Sequence, residues 1–103
     1  MEEGRGRKGL IRMPVVWIPS LMRALTDNQE QIEVSGETLR QVVENLDLRY
    51  PGIQDRVIEE DRIKPGLAVV VNGEVTNEGL RTRVAETDEI HFVAAISGGS
   101  RAS

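Results

Sequence analysis

Residues 38–52 read TLRQVVENLDLRYPG, and they predict one amphipathic helix with a single apolar stripe. Thr38 can cap the helix, and Gln41 lies three residues on, as in a capping box. Pro51-Gly52 ends the pattern after about twelve residues. The apolar residues recur at spacings of three and four and are Leu39, Val42, Val43, Leu46 and Tyr50.

A strand hairpin is predicted before this helix. Met13 to Ile18 is a short β-branched run, which is typical of a strand. Glu30 to Val34 alternates between polar and apolar residues, so Ile32 and Val34 face one way. Thr26-Asp27-Asn28 supplies turn chemistry between the two segments.

Further short elements follow the helix. Ile53 to Ile58 is interpreted as a helical turn and Glu59 to Gly66 as a polar loop. Leu67 to Val71 predicts a buried strand, and Asn72-Gly73 predicts a two-residue hairpin turn that leads into Glu74 to Thr76. Asn77 to Arg83 is interpreted as irregular.

The last predicted strand runs from Glu89 to Ile96, after a turn at Glu86-Thr87-Asp88. Because side chains alternate across a strand, the residues divide between two faces. One face is predicted to carry Ile90, Phe92, Ala94 and Ile96, and the other His91, Val93 and Ala95.

These elements predict an α+β fold of the β-grasp (ubiquitin-like) class. A single amphipathic helix must bury its stripe, and one mixed sheet of four to five strands provides the surface for it. The β-grasp domain is expected to span residues 13–97. Residues 1–12, which are rich in glycine and charge, are interpreted as a flexible arm, and residues 98–103 as a tail.

The composition excludes several functions. A formal net charge of −4 disfavours nucleic-acid and membrane surfaces, which attract basic proteins. The chain has no cysteine, and its one histidine, His91, has no second histidine with which to hold a metal. The acidic run Glu59-Glu60-Asp61 is interpreted as a solvated loop. We therefore expect a cytoplasmic protein that is not an enzyme and has no cofactor or metal.

The C-terminus is the remaining candidate for chemistry. After Ile96 the chain reads Ser97-Gly98-Gly99, and Ser100 to Ser103 follow. Two residues without Cβ atoms can lie extended in a narrow channel and bring a carbonyl carbon close to a partner's reactants. A loose chain end is the alternative interpretation, so the glycine pair alone is weak evidence.

Taken with its position, this tail resembles that of the ubiquitin-like sulfur carriers. These include the small subunit of molybdopterin synthase, the thiamine-pathway carrier and the carrier of an alternative cysteine biosynthesis. The matching stretches run from about Met13 to Gly99, and the first is closest to the cysteine-pathway carriers. In chain order they are Ile18-Pro19 with Leu21-Met22-Arg23, Gly36-Glu37-Thr38-Leu39, Arg49-Tyr50-Pro51-Gly52-Ile53, Val71-Asn72-Gly73, Glu78-Gly79-Leu80, Thr87-Asp88-Glu89-Ile90 and Gly98-Gly99.

The resemblance implies a cycle in which an activating enzyme related to ubiquitin activators adenylates the terminal glycine. The acyl group then becomes a thiocarboxylate and delivers sulfur inside a synthase. It assigns the reacting carboxylate to Gly99 and the threading stem to Ser97 and Gly98. The docking surface would contain His91, Val93 and Ala95, and the free carrier would be a monomer.

This chain departs from the family pattern because Ser100 to Ser103 follow the second glycine. While they remain attached, the Gly99 carbonyl is an amide and offers no carboxylate. We expect a zinc-dependent, deubiquitinase-like protease to cut between Gly99 and Ser100. Two alternatives stay open: a modifier joined through Gly99 to target lysines, and a ubiquitin-shaped binding module that is never activated.

Overall fold

The structure is a computed structural model that describes residues 13–95. Within them a mixed sheet carries one main helix, and a small second hairpin lies beside it. The helices are α1 (Leu39–Arg49) and α2 (Ile53–Val57), with 3₁₀ segments at Ser20–Thr26 and Gly79–Arg81. The strands are β1 (Val15–Trp17), β2 (Gln31–Glu33), β3 (Ile58–Glu59), β4 (Arg62–Ile63), β5 (Leu67–Val71), β6 (Glu74–Val75) and β7 (Glu89–Ala94).

The main sheet has five strands in the order β2-β1-β7-β5-β6. β1 pairs parallel to β7, with Val16 opposite Ile90, and the other neighbours are antiparallel. This arrangement confirms the predicted β-grasp class, a mixed sheet packed on one main helix. The predicted arm (residues 1–12), Ile96 and the tail lie outside the described residues.

Local chemistry sets the start of α1 as the sequence predicts. The Thr38 hydroxyl accepts a hydrogen bond from the Gln41 backbone N–H at 3.3 Å. The Gln41 side chain reaches back to accept from the Glu37 N–H at 2.8 Å. In the usual capping box this side chain accepts from the N–H of the cap residue itself. Here it accepts from the N–H of the residue before the cap.

A single carboxylate of α1 accepts hydrogen bonds from the backbone at the start of α2. Asp47 Oδ1 accepts from the backbone N–H groups of Gly52 and Gln54, each at 3.0 Å. Gly52 has a φ of 108°, so the chain can turn there into α2. This bond pattern caps α2 and confirms the helical turn predicted after Pro51.

The core lies between α1 and one face of the sheet. Leu39, Val42, Val43 and Leu46 are each 0% exposed, whereas Tyr50 is half-buried at the helix end. From the sheet the core receives residues of β1, β2, β5 and β7, which are Val16, Ile32, Val69, Ile90 and Phe92. Fully burying such a side chain contributes about 1.5–3 kcal/mol, so this layer is the main source of stability.

The prediction of a polar loop from Glu59 to Gly66 is partly wrong. Most of the β3–β4 hairpin lies in this segment, and Ile58, the residue before it, pairs with Ile63. Glu60 and Asp61 form its turn at φ values of 53° and 65°, a conformation more typical of glycine and asparagine. Asp61 is held by Arg40 of α1 at 2.6 Å, a contact between residues distant in sequence.

Two other predictions need correction. The connection before β2 contains a seven-residue 3₁₀ segment, Ser20–Thr26, whereas the sequence predicted only a turn at Thr26-Asp27-Asn28. Ala94, predicted to face the core, is exposed because the core cluster ends at Phe92 of β7.

Asn72 connects the β5–β6 hairpin to the start of β7. Its Nδ2 donates to Asp88 Oδ1 at 2.8 Å, and its Oδ1 accepts from the Glu89 N–H at 2.9 Å. Its φ of 52° and that of Gly73, 87°, suit the two-residue turn predicted from the sequence. The same side chain therefore sets the turn and fixes where β7 begins.

We predict that Val43→Asp unfolds the domain. A carboxylate at a site with 0% exposure loses its hydration and costs several kcal/mol, against a total of about 5–15 kcal/mol for a typical domain. Circular dichroism with urea titration measures the loss. Leu48→Asp is the matched control, because Leu48 is 80% exposed on the same helix; equal stabilities of the two variants would contradict this core assignment.

We predict that Asn72→Ala lowers the free energy of unfolding by about 2–3 kcal/mol. The variant loses two side-chain hydrogen bonds and places alanine in a left-handed conformation. Urea unfolding monitored by circular dichroism gives the difference. Asn77→Ala, at an exposed bend, should change stability by less than about 0.5 kcal/mol. A similar small change at Asn72 would show that the connection contributes little.

Candidate docking surface

The face of the sheet opposite α1 carries the predicted docking residues. His91 and Val93 alternate with the buried Ile90 and Phe92 of β7, so both lie on this outer face, and Ala95 follows directly after the strand ends at Ala94. His91 is half-buried, Val93 is 42% exposed and Ala95 is exposed. The structure therefore places His91 and Val93 on one surface, and Ala95 at the point where the chain leaves it.

Trp17 of β1 completes the centre of this face. It pairs in register with His91, and the two rings stack with centroids 5.1 Å apart and planes 10° from parallel. Such a pair stabilises a fold by about 0.5–1.5 kcal/mol beyond the area it buries. The Trp17 indole nitrogen is buried without a hydrogen-bond partner among the described residues, so its ring contributes apolar surface there.

Strand register extends the apolar centre across the sheet. His91 lies opposite Val70 of β5, and Val70 lies opposite Val75 of β6, which is 61% exposed. Val93 lies opposite Ala68. The outer face thus has an aromatic and aliphatic centre that lies directly beside the predicted docking residues.

One end of the outer face is acidic. Val15 of β1 lies between Glu33 of β2 and Glu89 of β7, and both glutamates are exposed. At the opposite end the chain leaves the sheet at Ala95, whose N–H donates to the Gly66 carbonyl at 2.9 Å. Acidic residues and tail exit therefore lie at opposite ends of β7.

The remaining predicted site residues follow Ala95. Ser97, Gly98, Gly99 and Ser100 lie outside the described residues, so their assignments stay predictions. The last described anchor before them is the bond between Ala95 and Gly66.

Residues 13–95 offer no group of three or more metal-ligating side chains. The clefts on this surface are open, and one, of about 220 Å³, lies where β1 and β7 begin and is lined by Met13, Val15 and Glu86 to Glu89. Within the same residues, no helix has the length and apolar character that a membrane span requires. The described residues form an open cleft where β1 and β7 begin.

Sequence reasoning missed Trp17 and Val70 as members of this face. The sequence contained a pattern that could have placed Trp17 on the outer face. Trp17 lies between Val16 and Ile18, which are both buried. That parity places Trp17 on the outer side of β1. Its contact with His91 also required the parallel β1–β7 register, which no local pattern reveals.

Comparison with known proteins shows which family this chain resembles in sequence. The ThiS family matches residues 16–99 of this chain. The sulfur carrier protein CysO of Mycobacterium tuberculosis is 35% identical over 91 residues, which cover 82% of this chain and 96% of that protein.

Two solved structures show the same architecture. The match to CysO in the Amycolatopsis orientalis BexX/CysO complex has a TM-score of 0.77 at 27% identity. This match covers 84% of this chain and 99% of the CysO chain. The match to small archaeal modifier protein 1 of Methanosarcina acetivorans has a TM-score of 0.69 and covers 85% of this chain and 97% of the modifier chain. At 23% sequence identity, this match shows a shared fold alone.

The family match spans more than half of the chain and the CysO identity extends over most of it, in agreement with the β-grasp fold described above. The chain belongs to the ThiS family of ubiquitin-like sulfur carriers, which are small carrier proteins and not enzymes.

Proposed function

We infer that this protein carries sulfur on the acyl carbon of Gly99, after residues 100–103 have been removed. The observation that carries this proposal is the extent of the family match, which ends at Gly99. Residues 100–103 lie beyond the match. The carrier is thus proposed to end at its second glycine, with the four following residues as a removable extension.

The proposed chemistry has three steps. Water hydrolyses the amide between Gly99 and Ser100, which frees the Gly99 carboxylate. A carboxylate oxygen attacks the α-phosphorus of ATP and pyrophosphate leaves, which forms an acyl adenylate. Sulfide then attacks the acyl carbon and AMP leaves, so that the product is a thiocarboxylate. Each step is proposed to take place in another protein, because members of this family are carriers and not enzymes.

The outer face is proposed to bring those proteins to the tail. His91 and Val93 lie on β7, the strand that leads into the tail. A partner that contacts this face therefore has the tail within reach. The proposed partners are an adenylating enzyme of the ubiquitin-activator class, a sulfur-accepting synthase and a zinc-dependent protease. A relative, CysO of A. orientalis, has been solved in complex with another protein, BexX.

Cysteine biosynthesis is the proposed destination of the sulfur. The support is the identity with CysO and the resemblance of residues 18–23 to the cysteine-pathway carriers. Conjugation to lysines is the competing outcome. Self-conjugation has few sites here, because the chain has two lysines, and Lys64 is half-buried with its Nζ 3.4 Å from the Asp55 carbonyl oxygen.

The test compares residues 1–99 with residues 1–103 in ATP–pyrophosphate exchange, using the purified adenylating enzyme from the same organism. We expect exchange with the shorter protein and none with the longer one, because only the shorter has a Gly99 carboxylate. Mass spectrometry after addition of sulfide should show oxygen replaced by sulfur on Gly99. Exchange with intact residues 1–103 would refute the processing step, and lysine adducts through Gly99 would favour the modifier.

We also predict that Gly99→Val, in the protein that ends at residue 99, abolishes exchange and leaves stability unchanged within about 0.5 kcal/mol. A β-branched side chain blocks an extended path through a narrow channel, whereas Gly99 lies beyond the last described core residue, Phe92. Urea unfolding is the control measurement. A large loss of stability would show that the tail is part of the core.

A further inference from the structure

The turn between β5 and β6 contains an asparagine that precedes a glycine, Asn72-Gly73. The other asparagines of the chain, Asn28, Asn45 and Asn77, each precede a residue with a larger side chain. An asparagine amide can react with the backbone nitrogen of the next residue, and glycine leaves that nitrogen unhindered because it has no Cβ. Both residues of the turn are exposed, so water reaches the amide.

We propose that Asn72 is a site of spontaneous deamidation and that the fold controls its rate. In the first step the Gly73 nitrogen bonds to Cγ of Asn72 and the bond from Cγ to Nδ2 breaks. The amide group leaves as ammonia with the proton of the Gly73 N–H, and a succinimide ring remains. Water then opens the ring: attack at Cγ gives aspartate, and attack at the main-chain carbonyl carbon gives isoaspartate. The net reaction consumes one water and releases one ammonia.

The backbone of the turn keeps the two reacting atoms apart. Ring closure requires the Gly73 nitrogen to lie on the same side of the Asn72 Cα–C bond as Cβ does. Asn72 has a φ of 52°, in the left-handed region, where ψ is about +47°. This ψ directs the Gly73 nitrogen away from Cβ, so the reaction requires the turn to change its conformation.

Three hydrogen bonds oppose that change. The Asn72 N–H donates to the Glu89 carbonyl at 2.9 Å, Nδ2 donates to Asp88 Oδ1 at 2.8 Å, and Oδ1 accepts from the Glu89 N–H at 2.9 Å. The last bond polarises the amide carbonyl, which by itself would favour attack at Cγ. Because the nucleophile is directed away from Cγ, the bonds instead hold the amide in an unreactive geometry.

The opening that permits reaction is small. β6 has two residues and lies at an edge of the main sheet, where it pairs with Val70 and Val71 of β5. Val75 of β6 is 61% exposed, so this hairpin end buries little apolar surface. Segments of this kind open without unfolding of the whole domain. Deamidation of the folded protein is therefore expected to follow the local opening of the turn.

The reaction damages the start of β7. A carboxylate at residue 72 has no N–H to donate to Asp88, and it places a negative charge where Nδ2 now lies, 2.8 Å from Asp88 Oδ1. Isoaspartate also adds a carbon to the main chain of a turn that the structure builds from two residues. Either product removes the connection that fixes where β7 begins.

The test follows deamidation of the full chain by peptide mass spectrometry at mildly alkaline pH. The variant Asp88→Ala removes the acceptor of the Asn72 Nδ2 bond. Glu86→Ala is the matched control, because it removes a carboxylate from an exposed position in the same turn. Circular dichroism checks that the three proteins are folded, and a parallel incubation in urea gives the rates in the unfolded chains.

In unfolding urea we expect Asn72 to deamidate at least about tenfold faster than Asn77, because Asn77 precedes a glutamate, and equally fast in all three proteins. In the folded native chain the rate at Asn72 should fall at least about tenfold. Asp88→Ala should recover several-fold of that loss, whereas Glu86→Ala should stay within about twofold of the native chain. Urea below the unfolding transition should change the folded-state rate little, since local opening exposes little surface.

Equal rates at Asn72 and Asn77 in urea would overturn the assignment of the site. Equal rates at Asn72 in the folded and unfolded chains would overturn control by the fold, as would equal rates in Asp88→Ala and Glu86→Ala. A steep rise of the folded-state rate with urea would assign the reaction to global unfolding and refute the local opening.

A last comparison tests the damage to β7. Asn72→Asp carries the charge of one product, and Asn77→Asp makes the same change in charge at an exposed bend. We expect Asn72→Asp to unfold at a lower urea concentration than Asn77→Asp. Equal midpoints of unfolding would contradict the claim that deamidation loosens the start of this strand.

Discussion

The parallel pairing of β1 with β7 is the constraint on which the rest of the structure depends. It joins the first described strand to the last and places both at the middle of the sheet. The other strands of this sheet lie outside this pair, β2 on one side and β5 with β6 on the other. The connection between them must cross the sheet, and α1 makes that crossing as it buries its stripe on the inner face.

The alternation of side chains along these central strands separates residues that pack in the core from residues that lie on the outer face. Val16, Ile90 and Phe92 point towards α1 and supply stability, while Trp17, His91 and Val93 point away and lie on the proposed docking surface. Because the pleat couples the two sets, a shift of one residue in β7 would exchange core and surface together. The bonds of Asn72 to Asp88 and Glu89 oppose such a shift at the start of the strand.

Sequence reasoning succeeded where the controlling contacts are local. The α1 stripe, the Thr38 cap and the Asn72-Gly73 turn each depend on residues within a few positions of one another. It failed at the 3₁₀ segment Ser20–Thr26, where Arg23 bonds to the Ile18 carbonyl and pairs with Glu30, and at the β3–β4 turn, which Arg40 holds from another element. The outer face was found in part, because the parity of β7 is local but the stacking of Trp17 on His91 requires the register between the two ends of the chain.

The parallel orientation of β1 and β7 also gives the molecule a direction. Both strands begin at the end marked by Glu89, and β7 continues for six residues, about 20 Å, before the chain leaves at Ala95. Met13, the first described residue, therefore lies near the opposite end of this strand pair from that exit. The fold thus allows the protein to be tethered by one end of the pair while the other remains open to an enzyme.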